Sequence, residues 1–92
     1  MALRLISQQI TPLGDEVDLD TITATGVYHQ DSNARARNGA NYPEPAAGLL
    51  EVHNPAGAVM AYQRYTCYKG RPIYYRGRYN GQWSPWRKIQ TV

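Results

Sequence analysis

Val59-Met60-Ala61-Tyr62-Gln63-Arg64-Tyr65-Thr66-Cys67-Tyr68 leads into Lys69-Gly70-Arg71, and Pro72-Ile73-Tyr74-Tyr75-Arg76-Gly77-Arg78-Tyr79 leads into Asn80-Gly81 and then Gln82-Trp83-Ser84-Pro85-Trp86-Arg87. Tyrosine and β-branched residues fit a pleated, half-buried surface better than a helix. Gly70 and the Asn80-Gly81 pair supply the positive φ angles that tight turns demand. The stretch reads as two successive hairpins, a three-stranded antiparallel meander whose last strand is interrupted at Pro85.

The period of two assigns the faces. In the second strand Ile73, Tyr75, Gly77 and Tyr79 share one side and Tyr74, Arg76 and Arg78 the other, so the first set is expected in the core and the second at the surface. In the first strand Val59, Ala61, Tyr65 and Cys67 line one side, with Gln63 as the exception. Met60, Tyr62, Arg64, Thr66 and Tyr68 line the other. A hairpin alone is marginal in water, so a further layer or other subunits must cover it.

Outward from the meander, Leu49-Leu50-Glu51-Val52-His53 is a strand with Leu50 and Val52 on one face, and Asn54-Pro55-Ala56-Gly57 is built of turn residues. Residues 31–48 read as a long loop rich in Asn, Pro and Gly, with Tyr42 as its one large side chain. A loop of that length is a candidate binding segment. Tyr42 is either an anchor for a partner or sugar, or a ring that pins the loop to its own domain, and the second reading is slightly preferred. Val27-Tyr28-His29-Gln30 is a short strand. Before it, Asp18 or Asp20 can cap a helical turn that buries Leu19 and Ile22. The apolar residues Leu3, Leu5, Ile6 and Ile10 mark residues 1–17 as an attachment or intersubunit segment, with an edge strand as the alternative. Residues 18–92 form the domain proper. The expected class is mostly β, or a small α+β variant: an antiparallel meander with a short helical turn near the N-terminus and a long loop.

The chain has 92 residues, eight Tyr, no Phe and one cysteine, Cys67. Length of this order gives one domain with a modest core. A single cysteine excludes an intrachain disulfide, and Cys67 reads as a small buried strand residue. His29 and His53 sit on different segments, and neither a paired-histidine nor a Cys-x-x-Cys spacing occurs, so no metal or other cofactor is expected. No nucleophile elbow or phosphate-cradling glycine loop is present, and no enzyme is expected. No apolar run is long enough for a bilayer. Residues 1–51 hold all seven acids against three Arg, a net −4, while residues 52–92 carry seven cations and no acid. This asymmetry can mark a face for polyanions, but neutralisation by the acidic half or by a neighbour is the preferred reading.

On the expected register Tyr62, Tyr68, Tyr74, Arg64, Arg76 and Arg78 share one face. With Tyr42 from the loop, Tyr62, Arg64, Tyr74, Arg76 and Arg78 are the candidate ligand contacts, suited to stacking on sugars or bases. The same residue types also make oligomer interfaces. Leu50, Val52, Tyr65, Ile73, Tyr75, Trp83 and Trp86 are the expected core.

Five short motifs, taken in order, add a resemblance. Asp18-Leu19-Asp20-Thr21-Ile22 with Thr25-Gly26-Val27-Tyr28, then Leu50-Glu51-Val52, Gln63-Arg64-Tyr65, Tyr75-Arg76 and Asn80-Gly81-Gln82-Trp83-Ser84-Pro85-Trp86, resemble the pyocin knob domain of phage tail fibres and R-type pyocin fibres. The likeness runs from about Asp18 to Ile89. It implies a non-catalytic virion or tailocin component, made in the host cytoplasm. It also implies a homo-oligomer, most often a homotrimer, that associates with other tail proteins and contributes to recognising bacterial surface polysaccharide. A purely structural assembly or decoration role ranks second, and a small basic nucleic-acid-binding protein third.

Overall fold

The computed structural model describes residues 9–55 and 59–89. Seven strands form one sheet: β1 (Ile10–Pro12), β2 (Gly26–Gln30), β3 (Gly48–His53), β4 (Met60–Cys67), β5 (Ile73–Tyr79), β6 (Gln82–Trp83) and β7 (Arg87–Lys88). A 3₁₀ turn, Leu19–Thr21, lies between β1 and β2, and the helix α1, Asn33–Asn38, lies between β2 and β3. The sheet order is β1-β2-β3-β4-β5-β6, and β7 also pairs with β5. All pairings are antiparallel except β1 with β2, which is parallel.

Local chemistry sets these elements. Asp18 caps the 3₁₀ turn by accepting a hydrogen bond from the Asp20 N–H, as its position before an apolar residue suggests. Asn80 and Gly81 both take positive φ, +55° and +86°, in the two-residue turn between Tyr79 and Gln82. Pro85 has no N–H to give the ladder, and the segment 84–86 leaves it; β6 ends at Trp83 and pairing resumes at Arg87. The loop expected over 31–48 contains α1, whose Ser32 hydroxyl accepts from the Arg35 N–H. The apolar residues Leu3, Leu5 and Ile6 and the turn at 56–58 lie outside the described residues. Ile10–Pro12 pairs with β2 and Leu13 is buried in the main core cluster, so this part of the expected N-terminal segment is integrated into the sheet.

One face of the sheet is covered by the chain itself. Leu13, Leu19, Leu50, Val52, Tyr65 and Cys67 form the core. Val17, Ile22, Tyr28, Tyr42, Ala46, Tyr74 and Trp86 pack around it. Leu50, Val52 and Tyr65 are essentially inaccessible to solvent. β3 and β4 alternate cleanly between the two faces, with Ala61, Gln63, Tyr65 and Cys67 all inward. Gln63 is therefore no exception to its strand's pattern. It is a buried polar residue whose amide donates to the carbonyls of Leu19 and Ile22 at 2.8 and 2.9 Å, tying the 3₁₀ turn onto the sheet.

β5 reverses the expected assignment. Its register sets Gln63 opposite Arg76 and Tyr65 opposite Tyr74, so Tyr74, Arg76 and Arg78 share the inner face. Tyr75, expected in the core, is 45% exposed, and Tyr79 is 62% exposed. Ile73 is only half-buried, as are Trp83 and Trp86. Arg76, expected at the surface, is 5% exposed.

Candidate functional site

The inner half of β5 ends in a closed cation site. The Arg76 guanidinium lies 4.3 Å from the Trp83 ring centroid and 4.4 Å from that of Trp86. Nε donates to Gln63 Oε1 at 2.9 Å, and Nη1 lies 2.8 Å from Asp20 Oδ1. Nη2 is buried with no hydrogen-bond partner among the described residues, and the two indole faces are its neighbours. Burial pushes the Arg76 pKa down, and Asp20 opposes that shift. Both indole N–H groups are spent within the chain, Trp83 on the Asp20 carbonyl and Trp86 on the Asn41 carbonyl. Arg76 thus holds the closing segment to the N-terminal turn and cannot reach a ligand.

The six expected contacts divide between two faces. Tyr42 packs edge-on against Tyr65, at 5.7 Å and 85°, and its hydroxyl accepts from Gln30 Nε2 at 3.1 Å. It pins the 39–47 segment to the core while one side lines a shallow cleft of about 250 Å³ with Arg37, Asn41 and Glu44. Burial raises its pKa. The Tyr74 hydroxyl is bonded to the Glu44 carboxylate, and burial followed by this neighbour pushes its pKa up to about 12. Arg78 lies on the inner side of β5, opposite Ala61 and Trp83 in register. Only Tyr62 and Arg64 stand on the open face.

That open face is continuous across the sheet. Register places Ile10, Val27, Glu51, Arg64, Tyr75 and Arg87 in one row. A second row joins His53, Tyr62 and Gly77, and a third joins Met60, Tyr79 and Gln82. Ile10, Met60, Tyr62, Tyr75 and Tyr79 are each more than two-fifths exposed. Tyr75 and Tyr79 were missing from the sequence-derived set because the period of two was anchored on the wrong phase.

The sheet end at the β4–β5 turn carries two clefts. One, of about 350 Å³, is lined by His29, Asp31, Asn33, Ala47 and Tyr68. The other, of about 390 Å³, is lined by Lys69, Arg71 and Lys88 above Pro72, Ile73 and Ile89. Lys69, Arg71 and Lys88 did not stand out in the sequence, since Lys88 meets the other two only through the β5–β7 pairing. Their signal was the acid-free second half of the chain.

Cys67 is 3% exposed, and burial, with the nearby Glu44 charge, pushes its thiol up to about 11, which leaves it protonated at neutral pH. Among the described residues no group of three His, Cys, Asp or Glu side chains is arranged to hold a metal, and no helix is long and apolar enough to cross a membrane.

This arrangement of a self-covered sheet recurs in solved structures. A C-terminal portion of the R2 pyocin fibre of P. aeruginosa superposes with a TM-score of 0.84 at 35% identity, over 92% of this chain and 23% of that one. The chain shares the fold, and about a third of the sequence, of a domain of R-type pyocin tail fibres. An N-truncated R2-type pyocin tail fibre gives a TM-score of 0.84 at 33% identity, over 98% of this chain and 35% of that one. The R1 pyocin fibre of P. aeruginosa gives 0.82 at 34% identity, over 92% and 22%. The domain therefore spans between about a fifth and a third of the solved fibre chains it matches. No family model and no curated protein matches the sequence.

Proposed function

We propose that this chain is a non-catalytic knob of a phage or tailocin particle, assembled as a homo-oligomer, with a trimer as the first expectation. In that setting it sits with other tail proteins and contributes to recognising bacterial surface polysaccharide. The observation that carries this reading is the match to pyocin fibres over nearly the whole chain, at an identity well above that of a shared fold alone. Two features support a sugar-contacting role. The open face offers Tyr62 and Tyr75 beside Arg64, and one end cleft sets the exposed Tyr68 ring beside His29, Asp31 and Asn33 with the Lys69 ammonium over it. Aromatic rings stack on the apolar faces of sugars, and Arg satisfies their hydroxyl and acidic groups.

Light scattering on the purified protein, followed by lipopolysaccharide pull-down, tests both halves. A trimer that retains lipopolysaccharide supports the proposal. An oligomer with no affinity for any bacterial polysaccharide ends the receptor role.

A second reading has its own observation. The open face is rich in exposed apolar area, with Ile10 and Met60 beside the tyrosines. Such a face is suited to burial against another subunit. On this reading the domain is a structural or decoration element, and Tyr62→Glu, Tyr75→Glu or Tyr79→Glu breaks the oligomer. Unchanged mass in all three variants excludes the open face as the subunit contact.

A further inference from the structure

We propose that the cleft beside the Lys69-Gly70-Arg71 turn binds a saccharide that carries a phosphate group. This deepens the polysaccharide reading above and rests on it for the saccharide half. Three cations, Lys69, Arg71 and Lys88, rim a single cavity of about 390 Å³. That volume falls within the range of small-ligand pockets. Among the described residues none of the three has a carboxylate within 4.0 Å; the ion pairs there join Arg35 to Asp15 and Asp31, and Arg76 to Asp20. Glu44 is engaged by the Tyr74 hydroxyl, and Asp31, in the adjoining cleft, is paired with Arg35. Like charges gathered in a cleft repel one another, and a doubly charged anion relieves that repulsion at three donors at once.

The cleft is not built for a bare ion. Pro72, Ile73 and Ile89 also line it and give it an apolar wall. Lys69 reaches over the Tyr68 ring with its ammonium 5.8 Å from the centroid, and Lys88 over Tyr74 at 5.9 Å. Aliphatic stems and rings around a cationic rim suit the carbon face of a sugar with its phosphate held by the rim. Gly70, at φ +84°, takes the left-handed turn position between Lys69 and Arg71. Tyr68, whose ring lies under the Lys69 ammonium, also lines the cleft of His29, Asp31 and Asn33, so a longer chain of sugars can continue over the ring onto those hydrogen-bonding groups.

Calorimetric titration of the full chain with glucose 6-phosphate, glucose and inorganic phosphate tests the site. Glucose 6-phosphate is expected to bind more tightly than the other two, with an affinity that falls severalfold as salt is raised. The Lys69→Ala/Lys88→Ala variant, altered only at exposed side chains, is expected to bind it at least about tenfold more weakly. Arg37→Ala, a cation outside the cleft, is expected to leave it unchanged. Equal affinity for inorganic phosphate reduces the cleft to a simple anion site and overturns the proposal. Equal affinity for glucose, or full affinity in the double variant, overturns it too. Glucose 6-phosphate binding without lipopolysaccharide retention removes only the receptor role, and the reverse removes only the cleft.

Discussion

Arg76 shows how much one side chain can organise. Its guanidinium bonds Gln63 and Asp20 and fills the gap between Trp83 and Trp86, so it joins β4, the N-terminal turn and the closing segment. Arg76→Ala is expected to cost about 3 kcal/mol, read as a lower urea midpoint at unchanged slope, with red-shifted Trp emission. The loss comes from the two cation–π contacts, the orphaned Gln63 carbonyl and the void between the indoles. Asp20 contributes less, because its side chain as a whole is 40% exposed. Gly48 is the opposite case, a position defined by what it lacks. A Cβ there would stand 2.5 Å from the Thr66 carbonyl oxygen and 2.7 Å from the Tyr65 ring. Gly48→Ala is therefore expected to destabilise by about 2–3 kcal/mol in the same assay. Neither role was legible in the sequence. An arginine in an alternating strand reads as solvent-facing, because its partners lie 13 residues back at Gln63 and farther back still in the sequence at Asp20. A glycine opening a strand reads as a turn residue.

Elements were more readable than side chains. β3 and β4 carry the strict alternation of one buried face, and the motifs around Asn80-Gly81 and Pro85 mark where pairing turns and breaks. β5 contains Tyr on both sides and Gly77 between two arginines, so its pattern alone fits either phase. Only the register with β4, fixed by Gln63 opposite Arg76, decides it. α1 escaped notice for a related reason. It has six residues, of which only Ala36 is buried, so it presents no apolar stripe. A helix so short leans on its cap and its contacts. Ser32→Ala is expected to cost about 1 kcal/mol, with amide exchange accelerating across residues 33–39 while the sheet amides stay protected. Uniform acceleration across the sheet would mean that the helix and sheet open together.

At the scale of the molecule, buried acidic hydroxyl and thiol groups set the response to alkali. Burial holds the Cys67 thiol near 11 against an ordinary 9, and the Tyr74 hydroxyl near 12 against an ordinary 10. Tyr65 is raised as well. Across those windows the folded chain keeps protons that the unfolded chain has released, so stability falls as pH rises. The contribution is fully present below about pH 9 and is lost through pH 11 to 12. Urea midpoints are expected to drop over that range, and Cys67→Ala to delay the onset. A flat profile from pH 9 to 12 would show that these groups ionise without opening the core. The borders of the sheet have a different consequence. β1 has three residues and ends in Pro12, while the opposite border is two strands of two residues parted by Pro85. Among the described residues neither offers a long, flat row of free amides on which a foreign strand could be templated. Short borders of this kind work against cross-β aggregation of copies held at high local density and leave ordered contact between them to side chains.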